Sequence, residues 1–313
     1  MISNYLSSIL IIVIAGIASG TLLKFLIPKL YYIKLFDIPN ERSSHKKIKV
    51  NGGGISFILV TLIGSFLRGN FELITLTPLA VIGLIDDKFK ISSLFRFFAQ
   101  AITVVFLLND SIFYESLKTN NLLLNSIIFI FLVIFGIGLI NCINFMDGLD
   151  GLVGSSTIPA ILLGSISFYN SGFLLVGALL GFLFWNWYPS KVFMGDTGSL
   201  FIGTFLCFLI FKSPEINIGV SIILLISPLI LDTGTTIIKR FMNKENIFIS
   251  HKSHLYQRLH QKGLTHSKVS LIYFFAALFL FFIAIFKGVL SLLLGTFIIC
   301  IIGLYLNNNF LKN

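Results

Sequence analysis

Charge is scarce in this chain, and negative charge scarcer still. Of 313 residues, 12% are charged and only 13 are Asp or Glu, where a soluble domain carries about 25% charged residues. That poverty excludes an ordinary soluble globule. Cysteine is equally sparse: Cys142, Cys207 and Cys300 stand far apart, in or beside apolar runs. They form neither a disulfide framework nor a cysteine-based metal cage. No leader with a small-residue cleavage site opens the chain, so residues 1–30 read as a first membrane helix. Internal repeats, low-complexity tracts and a separate soluble domain are missing too, and residues 1–313 read as one transmembrane domain.

What the chain has in abundance is apolar length: 56% of it is hydrophobic, with 34 phenylalanines. A helix crosses the hydrocarbon in about 20 mostly apolar residues. Cutting at the polar clusters predicts an all-α, polytopic integral membrane protein with about eleven transmembrane helices, near 5–33, 53–69, 71–86, 94–109, 123–142, 153–169, 171–188, 197–212, 216–239, 268–286 and 288–307. Loops near 34–52, 86–93, 141–152, 188–197 and 240–267, with the adjoining helix ends and the tail, carry all 23 Lys and Arg except Arg68, Lys118, Lys212 and Lys287. The positive-inside rule then puts the N-terminus outside and the C-terminus in the cytoplasm. The net charge of +10 is mostly this bias, plus attraction for anionic lipid and anionic substrates; it is no argument for nucleic acid.

The same five loops hold the chemistry. They read "FDIPNERSSHKKIKVNGGGI", "LIDDKFKISSLFR", "NCINFMDGLDGLVG", "WNWYPSKVFMGDTGSL" and "HKSHLYQRLHQKG". An Asp at the centre of a spanning helix costs about 2.5–3.5 kcal/mol, so the adjacent Asp86 and Asp87 belong at a helix end, either simply solvated or as catalytic carboxylates or a magnesium site. Asp196 stands between Gly195 and Gly198, where the backbone can turn tightly. It can cap the helix that follows, or lie where a helix N-terminus meets a metal-bridged phosphate. Asn144, Asp147 and Asp150 recur at intervals of three beside Gly148 and Gly151, which is turn chemistry by itself and a cation and nucleotide site in company with the other acids. His251, His254, His260 and His266 stand among Lys252, Arg258, Lys262 and Lys268. Without an HExxH pattern or cysteine partners, this loop reads as a clamp for phosphates. Asp232, nearer the membrane interior, can pair with Lys239 or Arg240 two turns on and is left without a role.

"DDKFKIS", "NCINFMDGLDGLVG", "FMGDTGSLFIG" and "SHLYQRLHQKG" resemble, in this order, the motifs of polyprenyl-phosphate N-acetylhexosamine-1-phosphate transferases, and "FDIPNERSSHK" resembles their first cytoplasmic loop. The resemblance runs from about Phe36 to Lys268. It implies a magnesium-dependent enzyme of the bacterial cytoplasmic (inner) membrane, with manganese as the alternative ion. Such enzymes move an N-acetylhexosamine 1-phosphate from a UDP-sugar to undecaprenyl phosphate, release UMP and start a surface polysaccharide; a homodimer is compatible with it. It implies Asp196 as the principal magnesium ligand with Asn144, and Asp86 with Asp87 as the catalytic carboxylates at the lipid phosphate. Phe193 would stack on uracil, Asp150 would lie near the uridine and Asp147 would be a further essential acid. Arg96 stands where many relatives have a phosphate-binding lysine, and His254, Arg258 and His251 belong to the substrate-binding fifth loop.

The usual His-x-His-His cluster of that loop is here His254-Leu255-Tyr256-Gln257, which resembles initiators of O-antigen-like polymers. It argues against the second enzymatic reading, a UDP-muramoyl-pentapeptide transferase of peptidoglycan synthesis. A third reading, an ion-coupled transporter, calls for charges near the midplane and two repeated halves, and the acids cluster at one interface instead. The orientation is directly testable. Single cysteines at Lys46, Lys90 and Lys262 in a cysteine-free background should all resist an impermeant thiol reagent in intact cells, and labelling of any one before permeabilisation would overturn the topology.

Overall fold

The computed structural model describes residues 2–39, 47–246 and 252–310, and the chain is 79% helical. Among the described residues, sheet is confined to two antiparallel two-residue strands, β1 (Phe36–Asp37) with β2 (Lys49–Val50), and an isolated parallel bridge between Val50 and Val192. The helices run α1 (Ile2–Tyr32), α2 (Ile55–Leu67), α3 (Thr77–Phe89), α4 (Ser93–Asn109), α5 (Ile112–Leu117), α6 (Leu122–Met146), α7 (Leu152–Ser156), α8 (Ile158–Ser167), α9 (Gly172–Asn186), α10 (Gly195–Phe211), α11 (Ile216–Leu225), α12 (Ser227–Met242), α13 (Leu255–Gln261) and α14 (His266–Tyr305). Among the described residues, α1, α6 and α14 contain stretches long and apolar enough to cross a bilayer, and α11 with α12 makes a fourth if their 65° bend is one broken span. The other apolar helices are shorter, and the apolar side chains exposed on α1, α4, α6 and α14 face outward as a lipid-embedded bundle requires. The chain is a helical membrane protein.

Two packing features build the frame. The first is α10, in which every residue from Thr197 to Phe211 is buried. It is hydrophobic all round, as a helix enclosed by others must be. The second is the glycine seam between α1 and α9. A Cβ on Gly181 would lie 2.0 Å from the Gly16 carbonyl oxygen, and one on Gly177 would lie 2.2 Å from that of Ile12. Small residues let two membrane helices approach closely enough for van der Waals attraction to hold them where lipid offers no hydrophobic drive. Trp185 Nε1 seals the seam by donating to the Gly20 carbonyl at 2.9 Å.

The break between two spans expected near residue 287 has a physical form. Within α14, Gly288 takes φ 75°, ψ −177°, and a Cβ on Gly295 would meet the Ile283 and Leu280 side chains at 2.7 and 3.2 Å. In a straight helix, residues 280 and 295 would lie about 22 Å apart. The stretch 289–305 therefore folds back along 266–287, and the Arg258 guanidinium donates to Asn307 Oδ1 as the chain returns to the level of α13.

The seam predicts a local cost. Gly181→Leu should reduce thermal stability in detergent by at least the 1–3 kcal/mol or so of an overpacked site, while Gly138→Ala, with nothing within 4 Å of its Cβ position, should leave it unchanged. Equal melting temperatures for Gly181→Leu and the parent would show that α1 and α9 do not meet here.

Candidate active site

The site forms where the loops converge on the N-terminus of α10. Backbone pairing zips the first loop to the fourth: Phe193 N donates to Val50 O at 2.9 Å, Gly53 N to Phe193 O at 2.8 Å and Gly54 N to Met194 O at 3.1 Å. A Cβ on Gly54 would lie 2.5 Å from the Gly198 Cα, and one on Gly53 2.9 Å from the Phe193 oxygen. The run "NGGG" is the price of that close approach. Phe193 is half-buried in this zipper.

α3 enters from another side. A Cβ on Gly83 would lie 2.5 Å from the Asp196 carbonyl oxygen, so α3 packs with its backbone against the start of α10 and delivers Asp86 and Asp87 one turn later. Asp87 is not a free acid. Its Oδ1 accepts from Asp196 N at 2.8 Å and Asn51 Nδ2 at 2.9 Å, and its Oδ2 from Thr197 N at 3.1 Å and Thr197 Oγ1 at 2.6 Å. The N–H groups of α10 expected for a local cap or a phosphate are thus held by a carboxylate from α3, which also suits the positive end of the helix dipole. No Asp196, Thr197 or Ser199 side chain caps the helix.

Asp86 is buried, with Oδ1 accepting from Ile91 N at 2.7 Å and Oδ2 from Arg96 Nη1 at 2.7 Å. The same Nη1 donates to Asp196 Oδ2 at 2.8 Å. The bend "DDKFKIS", with Lys90 in the left-handed region at φ 53°, carries Arg96 back to Asp86. Asn144 Nδ2 donates to Asp196 Oδ1 and to Ser199 Oγ, both at 2.9 Å. Asp86, Asp196, Arg96 and Asn144 therefore form one connected cluster drawn from four segments.

The bend after α6 separates the remaining acids. Asp147, half-buried, has its carboxyl held well above the usual carboxylate range, first by withdrawal from water and then by the charges of Asp196, Asp87 and Asp150. Asp150 is buried and engaged: Oδ2 accepts from Ser190 N at 3.1 Å, Oδ1 from Ser190 Oγ at 3.0 Å, and His266 Nδ1 lies 3.4 Å from Oδ1. Desolvation pushes its carboxyl up, but the hydrogen bonds from His266 and Ser190 outweigh it and leave it lowered. Asp150 thus ties the fourth loop to α14.

In the fifth loop, His251 lies outside the described residues. His254 is buried, its Nδ1 3.6 Å from Asp232 Oδ1 and its ring stacked on Tyr256 at 5.6 Å. Arg258 is tied to Asn307, His260 Nδ1 lies 2.8 Å from Leu264 O, and His266 serves Asp150. These groups hold the described part of the loop together, and the His260 and His266 rings meet edge to face at 4.5 Å. Arg240 pairs with Glu245 at 3.2 Å. Sequence reasoning passed over Asn51, Ser190 and the mutual amide pair of Gln100 and Asn141; only the polarity of Gln100 in an apolar helix hinted at it.

Residues 71–213 match glycosyl transferase family 4. The chain is 32% identical over 295 residues, 86% of its own length and 82% of the relative's, to a probable undecaprenyl-phosphate N-acetylglucosaminyl 1-phosphate transferase of Bacillus subtilis. The chain belongs to this family. It is also 29% identical, over 72% of its length and 74% of the relative's, to an undecaprenyl-phosphate alpha-N-acetylglucosaminyl 1-phosphate transferase of Thermotoga maritima. A phospho-N-acetylmuramoyl-pentapeptide-transferase of Listeria innocua is 37% identical, but over 48% of this chain and 57% of the relative.

Across the family site, the cap on α10 is the part most open to test. An amide at position 87 has one acceptor oxygen and cannot serve all four donors. Its NH2 must face either the Thr197 pair or Asp196 N and Asn51 Nδ2, and hydrogen bonds to a charged partner contribute about 1.5–3 kcal/mol each. Asp87→Asn should therefore lower thermal stability in detergent together with turnover, and Thr197→Val should do so less. Parental stability in Asp87→Asn would show that the carboxylate does not hold the helix.

Proposed function

We propose that the chain transfers an N-acetylhexosamine 1-phosphate from a UDP-sugar to undecaprenyl phosphate and so initiates a lipid-linked surface polysaccharide. The observation that carries this reading is the Asp86–Arg96–Asp196–Asn144 cluster at the buried helix start, in a chain aligned over most of its length with relatives bearing that activity in their names. In the reaction, an oxygen of the lipid phosphate forms a bond to the β-phosphorus of the UDP-sugar. The bond between that phosphorus and the bridging oxygen breaks, and UMP leaves with the electron pair.

A phosphate monoester has a second pKa near 6 and is largely dianionic at neutrality, so little base is needed. Both Asp86 oxygens already accept hydrogen bonds, which favours a role in holding Arg96 over proton abstraction. Arg96, donating to two carboxylates from one nitrogen, keeps further N–H groups for phosphate oxygens. Phe193 is assigned to the uracil face and Asp150 to the support of the nucleotide loop.

The residues fit magnesium, with manganese as a substitute. Among the described residues no three acidic or histidine side chains converge as a ready cage, and magnesium characteristically uses one or two carboxylates, keeps waters and shares phosphate oxygens. Asp196 and Asn144 would hold it, with Asp147 close by, and its contribution is to screen the two anions and the charge developing on the leaving group. The topology proposed with this function has eleven spans, the site and C-terminus in the cytoplasm and the N-terminus outside, supported by the Lys/Arg distribution and by the Arg258–Asn307 contact.

The muramoyl-pentapeptide reading is less well supported, because such relatives match at 37% identity over 48% of the chain or at 28–29% over 65–71% of it, against 32% over 86% for the N-acetylglucosaminyl 1-phosphate transferase of Bacillus subtilis. Isolated membranes should transfer label from one of a panel of UDP-N-acetylhexosamines into butanol-extractable lipid, with a divalent-ion requirement. Asp196→Asn should reduce the rate by about a hundredfold or more at near-parental stability. Failure of every UDP-sugar would sink the assignment.

A further inference from the structure

Asp232 has no part in the cluster just described, yet it is 4% exposed and bonded more densely than any acid there except Asp87. It sits on α12 and reaches two other helices, α13 and α14. Oδ1 accepts from Leu255 N at 2.7 Å and from Thr236 Oγ1 at 3.4 Å; Oδ2 accepts from Tyr256 N at 3.1 Å and from Tyr273 Oη at 2.6 Å. The carboxylate therefore caps α13 from outside and pins it to both α12 and α14, with His254 Nδ1 3.6 Å away. A buried carboxylate persists only where such donors replace water.

The consequence runs on through Tyr256. Its ring is buried, its hydroxyl donates to the Phe145 carbonyl at 3.1 Å, and a Cβ on Gly148 would lie 2.2 Å from that hydroxyl. Tyr256 is thus the floor on which residues 145–148 rest, and that bend carries Asp147 immediately beside Asn144. A glycine at 148 is required because the floor is so close. Tyr256 takes its height from its own backbone N–H, which Asp232 holds.

We propose that Asp232 is a positioning residue for the transferase reaction: through α13 and Tyr256 it fixes the bend that presents Asn144 and Asp147 to the reacting phosphates. The proposal rests on the transferase reading above. The nucleotide loop around Phe193 is held to Val50 and Gly53 by backbone bonds that do not pass through α13, so disturbing Asp232 slows turnover more than it loosens the grip on the UDP-sugar.

The test uses the full chain purified in detergent with Asp232→Asn, Tyr256→Phe and the double variant. Tyr256→Phe keeps the ring under Gly148 and removes only the hydroxyl, so it stays informative if Asp232→Asn folds poorly. Asp232→Asn is expected to lower kcat by about tenfold or more with KM for the UDP-sugar within about twofold, Tyr256→Phe to lower kcat by less, and the double variant to match Asp232→Asn alone. Backbone hydrogen exchange at 145–149 should quicken in both single variants, a readout that needs no activity. Multiplicative losses in the double variant, or unchanged exchange with parental kcat, would overturn the proposal. A parent protein that transfers no label from any UDP-sugar defeats the transferase reading instead, and the exchange result then stands or falls by itself.

Discussion

The Asp87 carboxylate holds the backbone N–H groups of Asp196 and Thr197, and most of the site depends on that contact. α10 is enclosed by other helices along its length, so its first N–H groups emerge where water cannot serve all of them. A local Ser or Asp cap would have satisfied them and left α3 independent. A carboxylate from α3 satisfies them and also locks two segments of the chain in register. Gly83 against the Asp196 carbonyl and Gly195 against Asp87 (a Cβ there would lie 2.3 Å from Oδ2) show how little room the contact leaves. With α3 fixed, Asp86 falls beside Arg96, and Arg96 reaches Asp196.

The same device recurs. Asp150 takes the backbone and hydroxyl of Ser190 and so ties the fourth loop to the bend after α6, while Asp232 takes the backbone of Leu255 and Tyr256 and ties the fifth loop to α12. In each case an acid in one loop or helix captures the N–H groups of another segment. Charge-assisted bonds of this kind are short and directional, which suits a site assembled from connections that would otherwise be the loosest parts of a membrane bundle. It also divides the acids of this face into two groups. Asp87, Asp150 and Asp232 accept from backbone N–H groups of distant segments, whereas Asp86 and Asp196 share the Arg96 guanidinium and are the acids the proposed function places at the phosphates with Asp147.

The helical class was legible because composition and apolar run length are direct consequences of the bilayer, and the gathering of polar loops followed from the cost of charge in lipid. Asp86, Asn144 and Asp196 were legible as site candidates because polar residues of no use to lipid stood out against the apolar runs, whereas Arg96 came only with the family resemblance. What stayed hidden was the division of labour. Asp86 and Asp87 are adjacent in sequence, yet one meets an arginine and the other a helix end, since successive helical side chains point about 100° apart. Asp232 was left without a role, and besides Thr236 on its own helix its hydrogen-bond donors come from α13 and α14, which spacing within one helix cannot reveal. The histidines of the fifth loop were pooled by composition, and the fold distributes them among Asp232, Leu264 and Asp150.

That distribution bears on how the site handles two anions. Had the fifth-loop histidines formed one cationic clamp, the loop would have resembled a flexible lid whose charge does the binding. Here His254, Tyr256, Gln257 and Arg258 are all engaged with the protein: Gln257 Oε1 accepts from His254 N at 3.3 Å, Tyr256 reaches Phe145 and Arg258 reaches Asn307. A loop braced at four points loses little conformational entropy when substrate arrives, which favours preorganised electrostatics over closure. Under the proposed function, charge compensation would fall chiefly to Arg96, already suspended between two carboxylates, and to an ion that Asp196 and Asn144 would hold. Cations there would screen the repulsion between the two anionic substrates at the reacting atoms instead of at the rim. Under the same proposal, selectivity for the sugar would lie in the shape of a wall built on α13, where His254-Leu255-Tyr256-Gln257 stands in place of the usual His-x-His-His.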